Sequence, residues 1–232
     1  MFFGLFVFVF LLPKVAFAFG PGVHLELALK FLEGGLLPLP AKGALGLAFL
    51  YGNLAPDYFV SSATLKALWH REEAFLSLLR QAQSPEERAF SLGFGAHLAA
   101  DRVAHKELIP ALRRRLDLPE RLIHYYFEWT LERNRATSWY LLRGLLLWPG
   151  HRELEAFLTR AFELEPRRFM TRKWVSLSGY RLFKLKRRLP ATSLAVLFER
   201  RFRAARPRCL EEMAAYLEPL KEARCGSSVQ GP

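Results

Sequence analysis

The sequence predicts an all-α protein built as a multi-helix bundle. Apolar residues recur at spacings of three and four along most of the 232 residues, which is the period of a helix with one buried face. Runs that alternate Val, Ile or Thr with polar residues, as half-buried strands do, are nearly absent. With 51% hydrophobic and 24% charged residues, the composition is that of a globular protein, and it excludes a disordered or collagen-like chain.

Capping residues, prolines and glycines divide this pattern into separate helices. Gly34-Gly35 ends the first helix, Ser84-Pro85-Glu86-Glu87 opens a long helix with a capping box and a proline at its first position, and Pro110 ends or kinks it. Leu118-Pro119 opens the next helix, which runs toward Trp148-Pro149-Gly150. The predicted helices span about residues 22–32, 41–51, 64–81, 85–110, 119–148, 152–164, part of 167–189, 193–204 and 208–223, and residues 226–232 form a frayed tail.

The first eighteen residues have the features of a secretory signal peptide. Residues 1–12, MFFGLFVFVFLL, are apolar but too short to cross a bilayer core of about 30 Å. Ala16-Phe17-Ala18 follows as a small-x-small cleavage signature, although no Lys or Arg precedes the apolar run. We therefore expect cleavage after Ala18 and an extracytoplasmic mature chain, periplasmic or secreted. An uncleaved anchor or a buried helix is the alternative.

The positive charge of the chain is concentrated in one segment. The formal net charge is +12, and residues 167–208 contain fourteen Lys and Arg residues against a single acidic one. Such a block favours anionic partners, either phospholipid headgroups or nucleic-acid phosphates. The apolar side chains that share one side of a helix in this segment are Leu194, Leu197, Phe198 and Phe202. This pattern fits a helix at a lipid interface, an ordinary bundle helix with a solvated basic side, or aromatic stacking on single-strand bases.

Smaller features have mainly structural interpretations. Gly93-Phe94-Gly95 lies inside a helix with no preceding strand, so it predicts close helix packing rather than a phosphate loop. His151 is expected at the surface, and Cys209 and Cys225 either pair or are small buried side chains. The absence of a Gly-x-Ser-x-Gly elbow and of a Cys-x-x-Cys pair argues against serine hydrolases and thiol oxidoreductases.

Histidines and carboxylates recur at helical spacing. His97 precedes Asp101 by four residues and His124 precedes Glu128 by four, so each pair shares one helix face, and His105 extends the first pair by a turn. The apolar flanks of this stripe indicate that it points inward, where unpartnered polar groups cost several kcal/mol. One such pair is most often just a satisfied pair, but the whole set indicates a metal site. Nitrogen and oxygen donors without thiolate suit zinc in a hydrolytic role.

Five motifs follow one another along the chain. They are Phe19-Gly-Pro-Gly-Val-His24, Gly52-Asn-Leu-Ala-Pro-Asp57, His70, His97-Leu-Ala-Ala-Asp101-Arg-Val-Ala-His105 and His124-Tyr-Tyr-Phe-Glu128. In this order and spacing they resemble the zinc-dependent phospholipase C family, which is structurally related to the fungal S1/P1 nucleases. The resemblance covers about residues 19–130 and implies an all-α bundle that holds three zinc ions.

The resemblance also implies which residues bind each ion. The first ion would be held by Asp57, His70, His97 and Asp101. The second would be held by His24, by Asp101 as a bridging carboxylate, and by the main-chain amine and carbonyl of the new terminus Phe19, where the family usually has tryptophan. The third would be held by His105, His124 and Glu128. Asp57 is in addition the candidate catalytic residue, which would orient or deprotonate the attacking water.

The expected activity is hydrolysis of phosphodiesters by zinc-activated water without a protein nucleophile. The substrate class that the resemblance favours is phospholipid, cleaved to diacylglycerol and a phosphorylated headgroup. Two alternatives stay open: a single-strand nuclease of S1/P1 type with the same metals, and a non-catalytic zinc-stabilised module that docks to anionic membranes through residues 167–208. We expect residues 19–165 to form the catalytic domain, with a basic helical part at 166–225 packed on it.

Overall fold

The computed structural model describes residues 19–58, 63–133, 136–164 and 192–219, and these ranges contain helices and no strands. The α-helices are α1 (Pro21–Glu33), α2 (Ala44–Tyr58), α3 (Ala63–Trp69), α4 (Glu72–Gln81), α5 (Pro85–Val103), α6 (Ile109–Leu116), α7 (Glu120–Arg133), α8 (Ala136–Leu147), α9 (His151–Phe162) and α10 (Ser193–Leu217). A π-helical turn, Ala104–Leu108, joins α5 to α6. The predicted all-α bundle is confirmed. The predicted signal peptide, the helix within 167–189, Cys225 and the tail at 226–232 lie outside the described residues.

Helices α2 and α5 form the centre of the bundle, and glycines set their separation. A Cβ atom added at Gly52 would lie 1.9 Å from the carbonyl oxygen of Phe90, and one at Gly93 would lie 1.9 Å from that of Phe49. The two backbones therefore touch where neither glycine carries a side chain. The close packing predicted for Gly93 is confirmed. This contact holds Asp57, in the last turn of α2, beside the polar stripe of α5.

The other helices cover this pair and close the core. Helix α1 packs on α2, while α4 and α10 pack on α5. Phe127 of α7 lies against Phe198 of α10, with ring centroids 5.3 Å apart, and Phe19 lies edge-on to Phe202 at 5.6 Å. In the described part of the basic segment, the aromatic side of α10 is therefore buried in the bundle, with Arg200 and Arg203 on its exposed side.

Several helix boundaries differ from the prediction. The single helix expected over residues 64–81 is two helices, α3 and α4, and His70 lies in the turn between them. The helix expected to end at Tyr51 continues to Tyr58 through Pro56. The two helices expected at 193–204 and 208–223 are the single helix α10, which continues through Pro207. At Pro56 and Pro207 the helix continues through a residue that locally favours a break, whereas at His70 it ends without one.

The structure also shows what the predicted capping box and Pro110 do. The capping box is present, since the Ser84 hydroxyl accepts a hydrogen bond from the Glu87 amide at 3.1 Å. Pro110 does not end the helical run. It lacks the N–H that would bond the carbonyl of Lys106, and the helix widens into the π-helical turn that contains Lys106.

The expectation for His151 was wrong. Its side chain is 8% exposed, and its Nδ1 atom bonds the carbonyl of Trp148 at the start of α9. Its ring centroid lies 6.1 Å from that of Tyr51. Within the described ranges, no helix combines the length and the apolar character that a membrane span requires.

Candidate metal centre

Five side chains from α1, α2, the α3–α4 turn and α5 meet inside the bundle. Ligand atoms of His24, Asp57, His97 and Asp101 all lie within 4.8 Å of one another. His70 joins them, with its Nε2 atom 3.3 Å from Asp57 Oδ1 and 3.4 Å from Asp101 Oδ2. We call these five residues the compact cluster. They are the side chains that the resemblance assigned to the first two zinc ions.

Two of the side chains assigned to the third ion, those of His105 and His124, lie next to the compact cluster but are less tightly gathered. The rings of His105 and His124 are 5.0 Å apart, and His105 Nε2 lies 3.9 Å from Asp101 Oδ2. We call His105 and His124 the histidine pair. The prediction that the whole stripe on α5 points inward was wrong at His105, whose side chain is 44% exposed. His105 is the second residue of the π-helical turn, which departs from the regular spacing of α5.

Two acidic residues of α7, Glu120 and Glu128, are candidates for the carboxylate ligand that would complete the histidine pair. Glu120 Oε1 lies 3.6 Å from His124 Nε2, and Glu120 also bonds Arg113 at 3.2 Å. Burial, and next the charge of Glu132, raise the pKa of Glu128 well above its usual value. Asp57 acts in the same direction, so Glu128 lies within electrostatic reach of the compact cluster. The resemblance assigned Glu128 to the third ion and left out Glu120, which lies four residues before His124 as Glu128 lies four residues after it.

Backbone carbonyls hold two of the imidazoles in place. His97 Nδ1 lies 2.8 Å from the carbonyl oxygen of Asn53, and His70 Nδ1 lies 2.9 Å from that of Lys66. Each Nδ1 must donate to its carbonyl, which leaves Nε2 as an acceptor facing the cluster. The two Nε2 atoms are 3.4 Å apart. Two acceptor lone pairs at that distance repel each other unless a proton or a cation lies between them.

The carboxylates of the compact cluster are held in their ionised form. Burial alone would raise the pKa of Asp101, but contacts from His24 and His70 outweigh it and hold that pKa well below the usual value. Burial likewise opposes ionisation of Asp57, but Lys66, whose Nζ atom lies 3.0 Å from Asp57 Oδ1, acts together with His97 and His70 to lower the pKa of Asp57 well below its usual value. The cluster therefore carries negative charge that needs a positive partner.

The pKa values of His70 and His97 are shifted in opposite directions. Burial alone would lower the pKa of His70, but the close contacts of its Nε2 atom with the carboxylates of Asp101 and Asp57 raise that pKa to about 10. Burial, and next the neighbouring His24, lower the pKa of His97 to about 3. Without a metal, a proton on His70 and the ammonium of Lys66 thus balance the two carboxylates. A divalent cation would replace that proton.

The donor set fits zinc. Both ring nitrogens of His24 and both carboxylate oxygens of Asp101 are buried without a hydrogen-bond partner among the described residues. Leaving such groups unsatisfied costs about 1–3 kcal/mol each, and a bound cation removes that cost. Imidazole nitrogens and carboxylate oxygens without thiolate are the ligands typical of catalytic zinc.

Two residues near the site escaped the sequence analysis. Lys66 contacts Asp57, and Glu132 is buried against the start of α1, where its carboxylate accepts hydrogen bonds from the amides of Gly22 and Val23 at 3.0 and 2.9 Å. The spacing offered a signal for Glu132, because it lies one turn beyond Glu128 on the same face of α7.

Comparison with known proteins decides the family. The family described as zinc dependent phospholipase C matches residues 23–171, more than half of the chain. The chain belongs to the zinc-dependent phospholipase C family. No curated protein and no solved structure matches the chain. A zinc-dependent phospholipase C requires a metal site, and in this chain the buried group of His24, Asp57, His97 and Asp101 is the candidate for it.

Proposed function

We propose that this protein is an exported phospholipase C, which hydrolyses phospholipids to diacylglycerol and a phosphorylated headgroup. The observation that carries the proposal is the compact cluster. It gathers imidazoles and carboxylates with unsatisfied buried atoms in a member of a zinc-dependent phospholipase family. Phospholipid is the substrate class that the family implies.

Following the family resemblance, we assign three zinc ions to these residues of the bundle. Asp57, His70, His97 and Asp101 would hold the first. His24, Asp101 and the backbone of Phe19 would hold the second, and His105, His124 and Glu128 the third. Two contacts support a shared role for Asp101, whose oxygens lie 3.3 Å from His24 Nε2 and 3.9 Å from His105 Nε2. The position of Phe19 supports its assignment, because its ring lies edge-on to that of His24 with the two ring centroids 5.7 Å apart.

The chemistry divides between the ions and the chain. When bound, zinc acidifies a water molecule to near-neutral pKa and stabilises negative charge on the phosphate oxygens. Asp57, 13% exposed, is the cluster carboxylate that solvent reaches more readily than Asp101, 5% exposed. We assign it the task of orienting the attacking water and holding its proton. Lys66 favours the ionised form of Asp57 that this task requires.

Export is part of the proposal because cleavage after Ala18 would create the amine of Phe19 as a ligand. Mass spectrometry of the protein recovered from the cell exterior tests the cleavage site. A chain that keeps residues 1–18 should bind one zinc fewer than the mature chain. A mature chain that begins elsewhere, yet binds the same zinc, would contradict the role of Phe19.

One assay tests the reaction. The purified mature protein is given phosphatidylcholine vesicles or denatured DNA, before and after chelation and again after zinc is restored. We expect phosphocholine release that chelation abolishes, that zinc restores, and that Asp57→Asn lowers by more than about 100-fold. The matched control is Asp117→Asn, because Asp117 ends α6 in a left-handed conformation that asparagine tolerates.

The same assay distinguishes the rival functions. Cleavage of DNA with no lipid hydrolysis would identify a nuclease. No hydrolysis of either substrate, with vesicle binding that survives Asp57→Asn, would identify a non-catalytic membrane module. The proposed docking of residues 167–208 to anionic membranes is tested separately, by sedimentation with phosphatidylglycerol or phosphatidylcholine vesicles. We expect more protein to sediment with the phosphatidylglycerol vesicles than with the phosphatidylcholine vesicles. High salt should reduce this difference, because it screens the charges.

A further inference from the structure

Glu132 is a buried carboxylate that the proposed chemistry does not use. Its side chain is 6% exposed, and its two oxygens accept hydrogen bonds from the amides of Gly22 and Val23 at 3.0 and 2.9 Å. These amides belong to the first turn of α1, which has no capping side chain of its own. Glu132 therefore caps a helix that lies 110 residues earlier in the chain.

The start of α1 leaves room for this carboxylate. A Cβ atom at Gly20 would lie 2.5 Å from Cγ of Glu132, and one at Gly22 would lie 2.6 Å from its Oε2. Distances of this kind exclude any side chain at either position unless Glu132 moves. Gly144 offers a contrast on α8, because a Cβ atom there would meet nothing within 4 Å.

His24 follows directly after this capped turn and depends on it. The backbone amide of His24 bonds the carbonyl of Gly20 at 3.2 Å. His97 and His70 each have a carbonyl that fixes the ring, but within the described ranges neither nitrogen of His24 has a hydrogen-bond partner. What holds the ring is packing, stacked on His97 at 3.8 Å, together with the position of the helix backbone.

We propose that Glu132 is a positioning residue for zinc at His24. By fixing the first turn of α1, it does for His24 what a carbonyl does for His97 and His70: it aims Nε2 at Asp101, 3.3 Å away. Glu132 lies one turn beyond Glu128, so the same contact ties α7, which carries His124, to the helix that carries His24. This inference rests on the zinc chemistry proposed above.

Zinc content tests the inference independently of activity. Glu132→Gln keeps the size of the side chain but replaces one acceptor oxygen with the NH2 group of a carboxamide, a donor that would face a backbone N–H donor. After dialysis against a weak chelator, we expect this variant to lose about one zinc equivalent, through a 10- to 100-fold weaker site, with the other equivalents retained. Cobalt-substituted protein should lose the matching part of its visible absorption.

Gly22→Ala disturbs the same contact between Glu132 and the first turn of α1, but by a change in α1 rather than in Glu132. Alanine is the better helix former, so by propensity alone this variant would gain stability. We nevertheless expect it to lose the same zinc equivalent, because its Cβ atom displaces Glu132. The double variant should lose no more zinc than either single variant. Gly144→Ala is the matched control and should keep the full complement.

The outcomes separate this inference from the proposed function. If Glu132→Gln and Gly22→Ala keep the wild-type zinc content and affinity while only the melting temperature changes, Glu132 is a structural cap and the inference is overturned. If Glu132→Gln fails to fold, Gly22→Ala decides alone. A wild-type protein that binds zinc but hydrolyses no phospholipid would overturn the phospholipase proposal, while the zinc contents still decide the role of Glu132. A wild-type protein without zinc would overturn both.

Discussion

The compact cluster and the histidine pair use the same residue types, but the fold fixes them to different degrees. In the compact cluster, the glycine contact between α2 and α5 sets the spacing, and backbone carbonyls hold the rings of His97 and His70. In the histidine pair, His105 leaves the helix line at a π-helical turn and is 44% exposed. The side chains of the first region are thus held in place by the fold itself, whereas those of the histidine pair have fewer contacts that fix them.

The largest effect should come from the residue that both regions share. Asp101→Asn removes the carboxylate that lies near His24 at 3.3 Å and near His105 at 3.9 Å. We expect the loss of more than one zinc equivalent and a fall in phospholipid hydrolysis of more than about 100-fold. Elemental analysis and the vesicle assay measure these changes. Unchanged zinc stoichiometry would remove the assignment of Asp101 as a bridging ligand.

Disturbing the helix contact should affect the compact cluster through the backbone. Gly93→Ala places a Cβ atom 1.9 Å from the carbonyl oxygen of Phe49, so α2 and α5 must separate. We expect the free energy of unfolding to fall by about 1–3 kcal/mol or more, with weaker zinc binding at Asp57 and His97. Urea unfolding measures the first effect. Gly144→Ala is the control and should match the wild type within about 1 kcal/mol, and equal stability of Gly93→Ala would contradict the packing argument.

Removing one member of the histidine pair should leave the compact cluster intact. His105→Ala takes away a half-exposed imidazole that lies in the π-helical turn, outside the glycine contact between α2 and α5. We expect the loss of one zinc equivalent and no more, with cobalt bound at the compact cluster keeping its spectrum. If His105→Ala loses as much zinc as Asp101→Asn, the two regions act as one unit and the comparison fails.

The zinc-free protein should show a pH dependence that belongs to the compact cluster alone. The pKa of His70, raised to about 10 from 6.5, adds stability that is fully present below about pH 6.5 and is lost as the pH rises through about 10. Urea unfolding of the zinc-free protein between pH 6.5 and 10 should show this loss. His70→Ala should lack the slope, and His105→Ala should keep it. A wild-type protein with flat stability over this range would contradict a proton held at His70.

The sequence predicted the fold and the compact cluster better than it predicted the histidine pair. Helical spacing places His97 and Asp101 on one face whatever the rest of the chain does, and burial follows from their apolar neighbours. His105 has the same spacing, but Pro110 widens the helix before it, and no local pattern states how far a π-helical turn rotates a side chain. Contacts across the fold, such as the carbonyl of Asn53 on His97, leave no trace in local spacing.

The boundary errors have the same origin. The turn at His70 and the continuation of α10 through Pro207 depend on packing partners that are distant in sequence. Glu132 could have been found from its spacing, but its partners at Gly22 and Val23 could not, because they lie 110 and 109 residues away. Local patterns and the family resemblance therefore predicted the candidate site residues, and tertiary contacts decide which of them are held rigidly.

The smallest effect should decide which carboxylate completes the histidine pair. Glu120 is 52% exposed and shares a surface ion pair with Arg113, itself 63% exposed, an interaction that solvent screens to at most about 1 kcal/mol. Glu128 lies deeper, and burial with Glu132 raises its pKa, so it gains more from a bound cation. We therefore expect Glu120→Gln to change zinc affinity by less than about tenfold and Glu128→Gln to remove one equivalent. The reverse result would make Glu120, 3.6 Å from His124 Nε2, the third ligand of the pair and correct the assignment carried over from the family.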